Sequence, residues 1–323
     1  MNPLVSVVVA TFNSSGFIAE TLESVSAQSW KELELIITDD CSSDDTIDIC
    51  RSWIDLNRQR FVKTDILTSG LNVGVPANVN RGLYAASGEW ICFLAGDDTM
   101  KTDCIENNIL WLRTNPEARV LFSSVDVYRD TFEPSNFIRT TPQDPYNENS
   151  IMSPGRTAIS QYRMLLINDR IHYTPSLFLH RHTLISIGGF DERFRLLEDY
   201  PLWLNLTRNG HRLHFMNKIT VNYRQHSRAI NNTGSSSLIN TAYFRSEDFR
   251  RIYTYPFLPA DVRLNQQYFW YISQLFRNKL INRDNPVNRF ILSILTTYLN
   301  PFKYFIHFRK LLNHNIRNNE FYM

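Results

Sequence analysis

Apolar runs and segments of helical period alternate through the first 128 residues of the chain. Five runs are rich in β-branched residues and predict strands, at residues 5–10, 33–38, 61–67, 90–94 and 120–127. Between the first two runs, Phe17, Leu22 and Val25 recur near helical spacing, and Ser14 or Ser15 can cap the helix that they predict. Strands that alternate with helices are typical of βαβ units. We therefore predict an α/β fold with a mostly parallel, doubly wound sheet flanked by helices.

The pattern changes after residue 128. Residues 129–155 carry four prolines and many polar residues, which predicts a long surface loop. Further elements are then predicted: helices at 158–167 and 201–208, strands at 176–179 and 213–221, a turn at 188–191 and a left-handed residue at Gly210, where the second helix ends. From about residue 240 onward, helical segments rich in aromatic and basic residues follow. We therefore divide the chain into a domain of residues 1–228 and a helical C-terminal region of residues 229–323.

Composition narrows the classes of partner. The chain has 323 residues, of which 43% are hydrophobic and 20% charged, and its formal net charge is only +2. A general nucleic-acid binder would show a strongly basic domain, so we expect small-molecule partners and no nucleic acid. The four cysteines form no CxxC pair, which indicates neither a zinc cage nor a disulfide framework.

Membrane contact is the open question of the C-terminal region. The N-terminus lacks the pattern of a signal peptide, and the apolar stretch at 290–308 is interrupted by polar residues and Pro301, so we expect no spanning helix and a cytoplasmic location. Residues 277–323 contain eight Lys or Arg against two acidic residues. This basic and aromatic region can lie peripherally on an anionic membrane, at the inner face. A helical element packed on the core is the equally open alternative.

Two adjacent carboxylates, Asp97 and Asp98, follow the predicted strand at 90–94 after the short Ala95-Gly96 link. Carboxylates at the carboxyl end of a strand suit Mg²⁺ or Mn²⁺, and ligands collect at this edge of an open α/β sheet. Asp is also common in turns and at helix N-termini, so the pair can simply precede the helix predicted near Lys101. Both interpretations are open on this feature alone.

Further motifs stand in a fixed order around this pair. They are Ala-Thr-Phe-Asn at 10–13, Thr-Asp-Asp-Cys-Ser-Ser-Asp-Asp-Thr at 38–46, Asn-Val-Gly-Val-Pro-Ala-Asn-Val-Asn-Arg-Gly-Leu at 72–83, Gly-Gly-Phe-Asp-Glu at 188–192 and Leu-Glu-Asp-Tyr-Pro-Leu-Trp at 197–203. Together they closely resemble the family 2 glycosyltransferases over residues 4–228. The resemblance implies the GT-A fold and an inverting, non-processive enzyme. It implies transfer of a hexose or N-acetylhexosamine from a UDP-sugar to a glycan acceptor, such as a lipid-linked intermediate of O-antigen or capsule.

The resemblance also assigns roles to individual side chains. Asp199 would be the general base that takes the proton from the acceptor hydroxyl, with Glu198 beside it to orient the base or the acceptor. Asp98 would bind Mn²⁺ or Mg²⁺, with His226 near the metal and the diphosphate. The donor nucleotide would contact a group of polar residues: Thr11, Asn13, Asp40, Asn80 and Asp97. Among these, Asp40 would accept a hydrogen bond from the uracil.

Several of these residues have a structural alternative. Asn80 can stabilise the fold alone, His226 can be an ordinary structural histidine, and Glu198 with Asp199 can cap the following helix. Turn and cap roles are also our interpretation of the other acidic residues near the second strand, namely Asp39, Asp44 and Asp45. The pair Arg224 and Arg228 can contact phosphate or face solvent. Ala95 stands where many members of the family carry an additional Asp, which leaves fewer metal ligands in this loop.

Other classes of protein fit less well. A dehydrogenase needs a glycine-rich turn after the first strand, and residues 11–16 do not supply one. The processive synthases of the family carry a Gln-x-x-Arg-Trp motif that this chain lacks. A GT-A module that binds nucleotide or glycan without turnover is the remaining alternative.

Overall fold

The computed structural model describes residues 2–195, 197–227, 237–239, 243–244, 246–278, 280–312 and 319–322. The chain divides into two compact units, one of Met1–Gln161 with Arg170–Ala229 and one of Tyr162–Asp169 with Ile230–Met323. The functional boundary at residue 228 stays a prediction.

The strands of the described residues belong to the first unit. They are β1 (Val5–Thr11), β2 (Leu33–Asp39), β3 (Lys63–Thr68), β4 (Trp90–Ala95), β5 (Thr99–Met100), β6 (Val120–Arg129), β7 (Phe137–Thr141), β8 (Phe178–His180) and β9 (Leu213–Gln225). Their order in one sheet is β3-β2-β1-β4-β8-β6-β9-β5, and β7 pairs with β6 on a separate branch.

Helices occur in both units. They are α1 (Ile18–Ser26), α2 (Thr46–Asn57), α3 (Val75–Ala85), α4 (Cys104–Thr114), α5 (Ala158–Ile167), α6 (Arg181–Ser186), α7 (Asp199–Arg208), α8 (Glu247–Tyr253), α9 (Ala260–Leu275), α10 (Pro286–Ser293) and α11 (Pro301–Leu312). Short 3₁₀ helices occur at Arg58–Arg60, Pro134–Asn136, Thr174–Ser176, Tyr255–Phe257 and Glu320–Tyr322, and a π-helical turn at Ile294–Tyr298.

The predicted fold class is confirmed. The longest pairings are parallel, namely β1 with β2 and β4, β2 with β3, and β6 with β9. The shorter pairings of β4 and β6 with β8, of β6 with β7 and of β5 with β9 are antiparallel. β1 and β2 are buried along nearly their whole length, which explains why they appear in the sequence as continuous apolar runs rather than as an alternation.

Two local predictions are wrong. Residues 129–155 are not one long loop, because β7 within them pairs with β6. Most of β7 is exposed, so it lacks the apolar alternation that marks a half-buried strand. Ser14 and Ser15 do not cap α1 with their side chains; instead the main-chain carbonyl of Ser14 accepts hydrogen bonds from Phe17 and Ile18.

The second unit exposes many large apolar side chains on its helices. On α10, Val287 is 66% and Phe290 65% exposed, and on α11, Phe305 is 55%, Phe308 59% and Leu312 71% exposed. Within the described parts of the chain, no helix is both long enough and apolar enough to cross a bilayer.

Candidate active site

The carboxyl ends of three neighbouring strands meet at one edge of the sheet. In the register of β1 with β2, Thr11 lies opposite Asp39, and in that of β1 with β4, Ala10 lies opposite Ala95. The residues that follow these strands therefore lie side by side. This is the edge at which open α/β sheets bind ligands.

Asp40 is the buried acidic residue directly after β2. Its carboxylate accepts main-chain hydrogen bonds from Val73 (2.9 Å) and Gly74 (2.8 Å), and its own N–H donates to the Thr11 carbonyl (3.0 Å). Asp40 thus joins the ends of β1 and β2 to the segment before α3. An ionised carboxylate has about four lone-pair sites, so two remain for an N–H of a ligand.

The hydroxyl of Thr11 is buried and has no hydrogen-bond partner among the described residues. It lies against Gly96, where an added Cβ would come within 2.8 Å of this oxygen. A residue with a side chain at this position would therefore displace Thr11, and the close approach explains the glycine before the acid pair. Ala95, the residue before Gly96, is exposed, and its side chain offers no ligand atom.

Asp98 is 1% exposed, and its two carboxylate oxygens differ in their surroundings. Oδ1 accepts a 2.8 Å hydrogen bond from the main-chain N–H of Arg224, whereas Oδ2 is buried without a partner in the described part of the chain. Burial and the neighbouring Asp97 carboxylate raise the pKa of Asp98 well above its usual range, and Arg224 opposes them only in part. Asp98 does not cap a helix, since the position before α4 is Asp103.

Asp97 is more accessible, with 25% of its side chain exposed. Its Oδ2 lies 2.9 Å from Nε2 of His226, and the ring of His226 packs against Phe17 with centroids 4.6 Å apart. The structure therefore brings the predicted pair and His226 together. No group of three or more His, Cys, Asp or Glu placed to hold a metal occurs within the described ranges.

Arg224 holds this acidic loop in place. Its guanidinium donates to the main-chain oxygens of Asp97 (2.8 Å) and Asp130 (2.6 Å) and pairs with Glu20. It also lies over the rings of Phe17 and Phe132, at 4.8 and 4.0 Å from their centroids. The predicted solvated charge is wrong, because the side chain is buried. Contact with phosphate stays a prediction. Arg228 lies outside the described residues.

Glu198 and Asp199 stand at the start of α7. Asp199 is its first residue, and Glu198 occupies the preceding position without a side-chain cap hydrogen bond. Burial raises the pKa of Glu198. Because Glu198 makes no capping hydrogen bond, the alternative that it caps this helix is not supported.

Tyr223 on β9 is affected by the charges of both Asp199 and the acid pair. Burial, followed by the carboxylates of Asp98, Asp97 and Asp199, raises the pKa of this phenol to about 12, and Arg139 acts in the opposite direction. The three carboxylates predicted for metal, donor and base thus all act electrostatically on one side chain. Our sequence reasoning missed Tyr223, although it lies next to Arg224 in the strand that leads to His226.

Asn13 joins two loops, and its neighbours form turns. Its side-chain oxygen accepts from the main chain of Ser43 (2.8 Å), and its N–H donates to the Ser42 hydroxyl (2.8 Å). The turn roles of Asp39 and Asp44 are confirmed, since they accept main-chain hydrogen bonds from Ser42 and Thr46, respectively. Asp45 occupies the position before α2, without a side-chain cap hydrogen bond.

Asn80 on α3 holds the segment after Gly189. Its amide nitrogen donates to the Phe190 carbonyl (2.9 Å) and to Glu192 (2.7 Å), and its oxygen accepts from the Phe190 N–H (2.9 Å). These contacts give Asn80 the structural role that the sequence left open. Its contribution to the donor site stays a prediction.

The sequence model of the family "Glycosyl transferase family 2" matches residues 6–173, which are 168 of the 323 residues. The chain belongs to this family. It is therefore a glycosyltransferase, and the predicted recognition and enzyme class are confirmed.

Two curated relatives of this glycosyltransferase are bacterial. The UDP-Glc:alpha-D-GlcNAc-diphosphoundecaprenol beta-1,3-glucosyltransferase WfaP of Escherichia coli is 28% identical over 236 residues, 73% of this chain and 83% of WfaP. The amylovoran biosynthesis glycosyltransferase AmsB of Erwinia amylovora is 25% identical over 227 residues, 69% of this chain and 70% of AmsB.

Solved structures show the same fold at lower identity. The structure of S. aureus TarS 1–349 with UDP-GlcNAc matches with a TM-score of 0.60 and 17% identity, covering 98% of this chain and 88% of that one. The mannosyltransferase PcManGT from Pyrobaculum calidifontis, with GDP-Man and Mn²⁺, matches with a TM-score of 0.53 and 17% identity over 97% and 76% of the chains. The glycosyltransferase described here thus has the predicted GT-A fold.

Proposed function

We propose that this glycosyltransferase moves a hexose or N-acetylhexosamine from a UDP-sugar to a lipid-linked glycan acceptor. The transfer inverts the configuration at the anomeric carbon and is not processive. It serves the synthesis of a bacterial surface polysaccharide such as an O-antigen or capsule. The observation that carries the proposal is the buried carboxylate of Asp98, whose Oδ2 has no partner among the described residues, beside Asp97 and His226 at the sheet edge where β1, β2 and β4 end. This edge then has an oxygen for a cation that would hold the leaving diphosphate, and Asp199 would supply the base for the acceptor hydroxyl.

Asp40 and Thr11 form the nucleotide side of the proposed site. The free lone pairs of Asp40 would accept the N–H of uracil, and the unpartnered hydroxyl of Thr11 offers a further polar contact at the same edge. Asn13 shapes this edge through its contacts with Ser42 and Ser43. Asp97 would approach the ribose.

A divalent cation, Mn²⁺ or Mg²⁺, fits the residues present. Oδ2 of Asp98 is a hard oxygen without a partner in the described chain, and Asp97 with His226 lies beside it. Mg²⁺ in particular is often held by one or two carboxylates, with substrate phosphates and water as its other ligands, so a large protein cage is not required. When bound, the cation would neutralise the charge of the departing diphosphate.

Asp199 would act as the general base. It would accept the proton of the acceptor hydroxyl while that oxygen attacks the anomeric carbon from the side opposite the diphosphate, and a single displacement of this kind inverts the configuration. Glu198, with its raised pKa, would orient Asp199 or the acceptor.

The relatives favour this choice of substrates. The name of WfaP specifies a UDP-glucose donor and a diphosphoundecaprenol-linked acceptor, and TarS was solved with UDP-GlcNAc. PcManGT was solved with GDP-Man, so a guanine nucleotide is the donor to test against uridine. The alternative function is a catalytically degenerate module that binds nucleotide or glycan.

We also propose that the enzyme is cytoplasmic and that its second unit contacts the anionic inner face of the cytoplasmic membrane. On α11, Phe305, Phe308 and Leu312 are exposed and lie one helical turn apart, with Lys303 on the same helix. Exposed aromatic side chains beside basic residues are typical of helices that lie in a membrane interface.

The test is thermal unfolding with UDP, GDP and NAD⁺, each with and without Mn²⁺. A ligand at 100 times its Kd stabilises the native state by about 2.7 kcal/mol. We expect a rise in Tm with UDP that Mn²⁺ enlarges, followed by sugar transfer from UDP-sugars. A response to GDP alone would refute the UDP donor, and UDP binding without transfer to any glycan would favour the degenerate module.

A further inference from the structure

A groove of about 600 Å³ opens beside β7. Its walls come from β6, β7, β9 and the residues just after β7, and they include Ser124, Ile138, Arg139, Pro142, Lys218 and Ile219. Two of its lining residues are cationic and none is acidic. The groove therefore favours an anionic ligand.

The two cations of the groove differ in how far their charge is compensated. The ammonium of Lys218 lies 3.0 Å from Asp103 and donates to Asn107 (2.7 Å). The side chain of Arg139 is exposed and makes no hydrogen bond or ion pair with any residue in the described segments. Arg139 is therefore the cation that a ligand can engage without breaking an existing contact.

The sheet register connects Arg139 to the reaction centre. Val127 on β6 pairs with Arg139 on β7 and with Tyr223 on β9. Partners in one row of a sheet project from the same face, and two strand spacings put these two residues about 10 Å apart at Cα. Arg139 thus lies in the same row of the sheet as Tyr223, whose neighbour Arg224 is hydrogen-bonded to Asp98 and Asp97.

We propose that Arg139 binds the diphosphate of the acceptor, with the apolar wall of the groove against the first isoprenoid units of its lipid. This inference rests on the proposed function, which provides a lipid-linked acceptor. A guanidinium can bind phosphate oxygens through two parallel hydrogen bonds. The proposed function assigns the donor diphosphate to Asp98 and its cation. The acceptor diphosphate therefore needs a different site, and we assign it to the groove. Ile138 and Ile219, each 37% exposed, supply the apolar surface.

The test measures binding of farnesyl diphosphate and of uncharged farnesol to the full chain in the presence of saturating UDP and Mn²⁺. We expect the wild type to bind the diphosphate at least tenfold more tightly than the alcohol. Arg139→Ala should abolish this preference, and Arg139→Lys should retain part of it because an ammonium keeps the charge but not the planar fork. Arg51→Ala, which removes an exposed arginine from α2, is the matched control and should behave as the wild type.

Three results would overturn the inference. They are failure of the wild type to prefer farnesyl diphosphate, an unchanged preference in Arg139→Ala, and a loss of UDP affinity in Arg139→Ala that equals its loss of farnesyl diphosphate affinity. The third result would assign Arg139 to the donor diphosphate instead. Failure of the wild type to bind UDP would refute the proposed function separately, because UDP binding does not depend on the groove.

Discussion

The main-chain N–H of Arg224 donates a 2.8 Å hydrogen bond to Oδ1 of Asp98. The guanidinium of the same arginine donates to the carbonyl of Asp97 (2.8 Å), so one residue of β9 fixes both acids that follow β4. As a result, Asp98 keeps one oxygen, Oδ2, without a partner among the described residues. The geometry of the acid pair is therefore imposed by a strand more than 100 positions away in the sequence.

Arg224→Ala should destabilise the protein by about 2 kcal/mol, because it leaves two partly buried carbonyls and the Glu20 carboxylate without their donor. Arg224→Lys should recover only part of this loss, since an ammonium cannot reach all three acceptors from one position. Urea unfolding measures both variants. Arg51→Ala on the surface of α2 should stay within about 0.5 kcal/mol of the wild type. An Arg224→Ala variant as stable as this control would show that Arg224 does not hold the loop.

Asp98→Asn should remove the part of the UDP response that depends on Mn²⁺ and leave the response to UDP alone. The amide matches the carboxylate in shape but lacks the charge that a hard cation requires. Calorimetric titration of UDP with and without Mn²⁺ measures the two responses. Asp45→Asn, which changes an exposed acidic residue near the same sheet edge, is the control and should bind UDP as the wild type does, with and without Mn²⁺. An unchanged Mn²⁺ effect in Asp98→Asn would assign the cation to another site.

Asp199→Asn should lower kcat by about 10² to 10⁴, the usual contribution of a general base, while UDP binding stays unchanged. Glu198→Gln should have a smaller effect, since its proposed role is to orient the base or the acceptor. Steady-state transfer assays and UDP titrations separate the two properties. A kcat within a few-fold of the wild type in Asp199→Asn would rule out this residue as the base.

Glu34→Gln should lower the free energy of unfolding by about 2 kcal/mol at neutral pH. Burial raises the pKa of Glu34, but hydrogen bonds from Ser6, Ser87 and Lys63 outweigh it and lower the pKa overall. A lowered native pKa stabilises the fold above the unfolded-state value near 4.3, and this contribution is lost as pH falls through the native value. The difference between wild type and variant should therefore shrink below about pH 4. Exposed Glu32→Gln should show no such trend.

The strands and the position of the acid pair could be predicted from the sequence because their signals are local. β1, β2 and β4 are buried apolar runs, and the residues after parallel strands necessarily meet at one edge of the sheet. Asp97 and Asp98 follow from this rule without any knowledge of their neighbours.

The role of Arg224 could not be predicted, because its partners are distant in the chain. Glu20 lies 204 positions away and Asp130 lies 94 positions away, so an arginine in a strand gave no sign of them. Tyr223 was missed for the same reason, since the carboxylates that raise its pKa come from the end of β4 and the start of α7. β7 was missed because an exposed edge strand carries no apolar alternation.

Phe305→Ser with Phe308→Ser should weaken binding to anionic vesicles while leaving transfer to a soluble acceptor unchanged. Both rings are more than half exposed, so their loss removes little packing. Cosedimentation with phosphatidylglycerol-containing vesicles, compared with pure phosphatidylcholine, measures the effect. Lys303→Ala should weaken the anionic binding alone, by about 1 kcal/mol. Leu56→Ser removes a 79% exposed apolar side chain from α2 and should bind as the wild type. Equal sedimentation of the wild type with both vesicles would exclude an electrostatic membrane contact, and equal binding of all variants would place the contact elsewhere.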